Sequence, residues 1–294
     1  MHGRIGCLPF VSVVLLVSAQ PTQAGCIDPT RLAHSTVSIT RYFDDAEREA
    51  SRGLVGVGGT GWFLSPTMIV TAEHVTAGMN LSAESWKPIE VVGGAGRQSV
   101  AARIKRLAGS QSEKLAVVEL QNAVSTARSV EVRRKPLAPE EEVMTLAYPE
   151  GRLQPVGGRF VRFGDDGKLA GLALLEMYEG ENRLVIDHGA SGAPVIDCDG
   201  RVAAVISNVF TQRIVFAARE IRISTAWGTP NVVSVPVQAL DDTSGAEETT
   251  KDIAGGQIGS RSPSIGDNTP VDQQRPNAIT NDRVFAIGKS HGSP

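Results

Sequence analysis

Aromatic residues are scarce in this chain. Three Trp, three Tyr and eight Phe make up 5% of 294 residues, against 31 Gly and 16 Pro. That balance argues against long packed helices and for many short elements separated by turns. An excess of charge is also lacking. The formal net charge is -3, so nothing in the totals points to nucleic acid or an anionic membrane surface as a partner. The apolar stretch Cys7 to Ala19 is too short to cross a bilayer as a helix. Cysteine is limited to Cys7, Cys26 and Cys198, and no His/Cys/Asp/Glu cluster has metal-ligand spacing, so neither a metal nor another cofactor is expected.

The start of the chain reads as an address. Met1 to Arg4 carries positive charge, the apolar stretch follows, and Thr22-Gln23-Ala24 places small residues at the first and third positions before a cut. This predicts a signal peptide over residues 1–24 and export to a periplasm or the exterior. A lipid anchor on Cys26 is the minor alternative, because Gln23 stands where a lipoprotein signal carries a branched apolar residue. Cleavage after Ala24 leaves Cys26 and Cys198. They permit a single disulfide tying the N-terminus to the distal half, or two free thiols, and both remain open.

From Ser35 to about Val237 short strand-like runs recur, among them STVSITRYF, TMIVTA, KLAVVEL, SVEVRRK, NRLVID and RVAAVIS. Gly, Pro, Asn, Asp or Ser bound them, and a helical period rarely intervenes. Such spacing predicts an all-β domain over 25–240, a sandwich or barrel rather than βαβ units. Roughly six runs in each half suggest two similar subdomains, about 30–125 and 130–240, divided near Ser125 to Ser129. Residues 241–294 differ: they hold no Trp or Tyr and one Phe, Phe285. Composition predicts a disordered polar tail there, with a short RVFAIG stretch able to dock on a partner.

Two settings hold residues fit for chemistry. His74 follows GTGWFLSPTMIVTAE and is expected in a short polar turn after a β-hairpin. Ser191 lies in DHGASGAPVIDCDGRVAAVIS, between Gly189, Ala190, Gly192 and Ala193, in a loop feeding a β-hairpin. Small neighbours let the backbone turn sharply and a substrate carbonyl approach closely. Two amides aimed one way there would hold a developing oxyanion. The nucleophile elbow of α/β-hydrolases is excluded, since it needs G-x-S-x-G before a helix and the last position is Ala193. VVGGAGRQSV likewise lacks the Lys-Ser/Thr ending of a phosphate-binding loop.

Together these stretches resemble the chymotrypsin-like (trypsin-like) serine proteases, in their compact bacterial form. GTGWFLSPTMIVTAEHV is similar to the family's histidine segment, GASGAPVIDCDGRVAAVIS to its serine segment, and EVMTLAYPEG to a hairpin of its second barrel. The likeness covers about residues 35 to 240, in the family's order. It implies two six-stranded antiparallel β-barrels with the site in the cleft between them. It implies His74 as general base, Ser191 as nucleophile, and the N–H groups of Gly189 and Ser191 as oxyanion hole. Ser207, Asn208 and Val209 would form the edge that pairs with an extended substrate peptide. Val185 would lie at the base of the primary specificity pocket, where an uncharged residue disfavours Lys or Arg in the substrate.

One position departs from the family. The acid of the triad normally stands directly before the hydrophobic-Ala-hydrophobic run, and in SEKLAVVEL that slot holds Lys114. A lysine accepts no hydrogen bond from an imidazole, and its charge opposes the imidazolium. Glu113 is the candidate acid, although neighbouring strand residues face opposite ways, so a bulge or the longer glutamate arm must bring it round. Glu73 and Asp187 are remoter candidates. Losing only the acid costs roughly 10⁴ in turnover, against roughly 10⁶ for the serine or histidine. The sequence therefore supports an exported serine endopeptidase with an atypical or missing acid. The alternative is a weak or dead protease fold that binds peptides or a surface partner.

Overall fold

A computed structural model describes residues 26–94, 96–109, 114–178, 189–209, 212–216, 219–223, 230–241 and 285–287. Six strands close the first barrel: Thr36–Tyr42 (β1), Gly56–Ser65 (β2), Met68–Ala72 (β3), Lys87–Gly93 (β4), Gly96–Gly109 (β5) and Lys114–Leu120 (β6). They pair antiparallel in the order β1-β4-β5-β6-β3-β2, and β2 returns to β1. The second barrel closes in the order β10-β11-β14-β9-β8-β7. Its strands are Glu142–Ala147 (β7), Gln154–Phe163 (β8), Ala173–Tyr178 (β9), Pro194–Asp197 (β10), Val202–Val209 (β11) and Val232–Pro236 (β14). A separate hairpin joins Gln212–Phe216 (β12) to Arg219–Ile223 (β13). Two six-stranded antiparallel barrels are the architecture the sequence predicted. Closure removes most of the free edges that an open sheet would expose.

The apolar run of KLAVVEL is explained by burial on both faces of β6. Leu115 and Val117 enter a core shared by the barrels, with Trp62, Val70, Leu146, Leu174, Ile196 and Val205. Val118 and Leu120 point the other way, into the first barrel with Ile39, Phe63 and Ile69. Phe160, Leu175, Val195 and Ile206 fill the second barrel. Each such side chain contributes about 1.5–3 kcal/mol on burial, so the shared core fixes one barrel against the other.

The N-terminal segment is stapled to the second barrel. Cys26 and Cys198 form a disulfide, 172 residues apart in sequence, and Ile27 and Leu32 sit in the shared core. Of the two options for these cysteines, pairing is the one realised. Cys198 belongs to the β10–β11 turn, which Asp197 organises. That carboxylate accepts from the N–H groups of Asp199 and Arg201 and meets the guanidinium groups of Arg133 and Arg201. Among the described residues no helix is long and apolar enough to cross a membrane.

At three places the structure departs from the expectations of sequence. Ser129–Lys135 is not a strand, and only Val132 bridges Val202. The strands beside β11 leave nothing longer free, because β14 ends at Pro236 opposite Ala204. His74 lies not in a turn but in a short helix, Glu73–Gly78 (α3, after Pro29–Leu32, α1, and Asp45–Ala50, α2), whose Thr76 hydroxyl donates to the Glu73 carbonyl. Within 241–294, Phe285–Ile287 (β15) is a strand added to the outer edge of β2. Composition did not suggest it, because a strand joining a formed edge needs backbone partners rather than a core of its own. The segments 1–24, NRLVID and most of 241–294 lie outside the described residues.

Candidate active site

Strand β2 brings the histidine and serine segments together. Gly59 has no room for a side chain: an added Cβ would lie 2.7 Å from Val75 Cγ1 and 3.2 Å from the Ser191 carbonyl oxygen. Val75 follows His74 on α3, so the segments that carry His74 and Ser191 both pack against this one strand residue. The His74 Nε2 is buried. Little water therefore surrounds that nitrogen.

Thr60 is the junction. Its N–H donates to the Ser191 carbonyl (2.9 Å), and its hydroxyl donates to the Gly189 carbonyl (2.6 Å). The same hydroxyl accepts from the Tyr148 N–H (2.9 Å), while the Thr60 carbonyl accepts from the Thr71 hydroxyl (2.7 Å). Thr60 is wholly buried. Its four bonds therefore join β2 and β3 of the first barrel to the serine loop and to the end of β7. Burial pushes the pKa of the Tyr148 phenol up.

The serine loop is shaped by two glycines with positive φ, Gly189 at 99° and Gly192 at 90°. At Gly192 a Cβ would sit 2.0 Å from the Thr60 carbonyl oxygen and 2.1 Å from the Thr71 hydroxyl, so the site excludes any side chain. The Gly192 N–H donates to the Ile206 carbonyl, and the Ala193 N–H to the Ala190 carbonyl. No described residue accepts a hydrogen bond from the Gly189 N–H. Ala190 packs in the second-barrel core at 1% exposure, which anchors the loop from behind.

On the far side of Ser191 the register of β11 slips between Ile206 and Asn208, so Ser207 is bulged out of the ladder with β14. Its carbonyl oxygen lies 3.5 Å from the Ser191 Oγ, a long contact rather than a strong hydrogen bond. Ser207 is buried, Asn208 half-buried, and Val209 ends the strand. The structure thus brings Gly189, Ser191 and Ser207 together, and packs the helix that carries His74 against Gly59 beside them.

Lys114 opens β6, half-buried, opposite Gly109. Leu115 beside it pairs with Ala72, two residues before His74. Glu113, Asp187 and Val185 lie outside the described residues. Glu73 is in the first turn of α3. Among the described residues, the close group of possible metal-ligating atoms is Cys26, Glu142 and Cys198. Its two sulfurs are bonded to each other in the disulfide.

Sequence reasoning missed Thr60 and the bulge at Ser207. A hydroxyl set between Gly59 and Gly61 inside a strand was the available signal for Thr60. Nothing local in VISNV announces a bulge.

The model of the trypsin-like peptidase domain matches residues 59–205, half of the chain. Among solved structures, the active form of the protease Rv3671c from M. tuberculosis is similar at a TM-score of 0.50 and 17% identity, covering 81% of this chain and 92% of that one. An HtrA-type protease, AlgW, carrying a serine-to-alanine substitution and solved with a tripeptide, is similar at a TM-score of 0.50 and 16% identity. That alignment covers 72% of this chain and 60% of AlgW. No curated protein matches the chain by sequence. Matched domain and double-barrel fold agree: the chain belongs to the trypsin-like peptidase family and is a serine endopeptidase.

Proposed function

We propose that this endopeptidase is exported and cleaves peptide bonds with Ser191 as nucleophile and His74 as general base. The convergence of the Ser191 carbonyl and Val75, next to His74, on Gly59 carries this assignment. In the proposed reaction His74 removes the Ser191 hydroxyl proton as Oγ attacks the scissile carbonyl carbon. The N–H groups of Gly189 and Ser191 hold the oxyanion. The imidazolium then protonates the leaving amine, and water, activated by the same imidazole, releases the acyl group and restores Ser191. The edge Ser207–Val209 pairs with the acyl half of the substrate. Glu113 orients the imidazole. Val185 lines an uncharged specificity pocket that favours apolar side chains. The Cys26–Cys198 disulfide supports an oxidising destination reached through the 1–24 signal peptide.

Labelling with a fluorophosphonate probe tests the assignment. Ser191→Ala and His74→Ala abolish labelling, and Glu113→Gln slows turnover roughly 10⁴-fold if it is the orienting acid. No labelling of the native chain between about pH 6 and 9 overturns the reading.

A further inference from the structure

Residues Gly56–Gly58 of β2 are paired on both sides. On one side lie Tyr42, Arg41 and Thr40 of β1. On the other lies β15, antiparallel, with Phe285 opposite Gly58, Ala286 opposite Val57 and Ile287 opposite Gly56. β3 does not cover this stretch, because its pairing with β2 begins at Trp62. The barrel thus leaves a three-residue acceptor edge, and β2 is unusually rich in glycine there, at Gly56, Gly58, Gly59 and Gly61. Glycine inside a strand marks a place where another backbone comes close, and an uncovered edge is a template for an extended peptide.

The position of that edge gives it meaning. Thr60, whose N–H holds the Ser191 carbonyl, is two residues beyond Gly58, about 7 Å at the rise of a strand. The polarity is equally informative. Phe285 is the end of β15 nearer Ser191, and the chain runs away from the serine towards Ile287. A peptide in this place has the direction of the half of a substrate that lies beyond the scissile bond. The bulged Ser207, where the preceding half is proposed to pair, has its carbonyl oxygen 3.5 Å from the Ser191 Oγ.

We infer that the β2 edge Gly56–Gly58 is a docking surface for an extended peptide, and that its resident occupant is the chain's own C-terminal segment, which competes there with substrate. This rests on the proteolytic role proposed for Ser191 and His74. The occupant is argued from the pairing itself and from sequence. Val284 to Ile287 is the densest apolar run in 241–294, and residues 242–284 supply ample chain to reach back from Asp241. A segment tethered to its own site is present at an effective concentration on the order of millimolar, enough for a short strand to compete.

The test uses the full chain, the chain ending at Thr280, and full-length Ala286→Pro, which removes a backbone N–H from β15. Truncation and Ala286→Pro are each expected to lower KM for an extended peptide substrate by about threefold or more. The rate of labelling by a small fluorophosphonate stays unchanged. In a Ser191→Ala background, a fluorescent peptide of residues 281–290 is expected to bind the truncated chain more tightly than the full chain. Unchanged KM in both variants, or equal peptide binding, overturns the inference. Absent labelling in every form would defeat the proteolytic role instead, and the binding arm would still decide the docking surface.

Discussion

Replacing Thr60 by Val removes one hydroxyl and keeps the side-chain shape, which isolates the junction between the barrels. The hydroxyl donates to the Gly189 carbonyl and accepts from the Tyr148 N–H, and Thr60 itself is fully buried. The variant leaves a buried acceptor and a buried donor without their partner. Each costs about 1–3 kcal/mol, so the loss is about 2–6 kcal/mol if the loop stays in place. At about 2–4 °C per kcal/mol for a domain of this size, that lowers Tm by about 4–24 °C. If the loop relaxes instead, the Gly189 carbonyl moves to find another donor, and the shift of the Gly189 backbone takes its N–H out of the direction from which it would hold the oxyanion. A tenfold fall in rate needs only about 1.4 kcal/mol of lost transition-state stabilisation, so fluorophosphonate labelling should slow by about 10- to 100-fold. Thr60→Ser keeps the hydroxyl and loses a methyl, and is expected to label at near the native rate with a small drop in Tm. Melting and labelling measured side by side on the three proteins decide the matter. A Thr60→Val protein that melts and labels like the native chain refutes the junction role.

Gly192→Ala would drive a methyl into the Thr60 carbonyl and the Thr71 hydroxyl at a backbone angle that already disfavours alanine. It should abolish labelling while the far-UV circular dichroism stays that of a β protein, and normal labelling would contradict the packing. Reducing the exposed Cys26–Cys198 bond releases a loop of 172 residues, worth about 5 kcal/mol in the chain-entropy model, so thiol reagents should lower Tm by about 10–20 °C. An unchanged Tm on reduction would show that the tether adds nothing. The Arg41 guanidinium, above all, holds the Glu47 carboxyl below its usual range, helped by the Asp44 N–H and Lys87. Its folded pKa is depressed, so its contribution is complete above the unfolded value near about 4.3 and is lost as pH falls through the folded value. Glu47→Gln should flatten that acid limb of Tm against pH, and an identical limb would refute the assignment.

What was legible in the sequence follows from where the physics is local. The LAVV of β6 announced a strand buried on both faces because each of its faces meets a separate apolar core. The small residues around Ser191 announced a sharp loop because two of them adopt angles that suit glycine. The rest depended on partners distant in sequence. Thr60 acts on Gly189 across 129 residues, and its own strand gives no hint of that bond. Ser129–Lys135 alternates like a strand, yet pairing needs a vacant edge, and beside β11 only the end at Val202 was vacant. The reverse holds for Phe285–Ile287: beyond Val284 its surroundings in sequence are polar, and its strand pairs only with the uncovered edge that β2 offers. The same logic bears on Lys114. Its place is set by Leu115 pairing with Ala72, two residues before His74, so the strand register brings the segment to the histidine whatever residue occupies position 114. Glu113 immediately precedes that strand in sequence, and the effect of Glu113→Gln on turnover measures whether its carboxylate serves the imidazole.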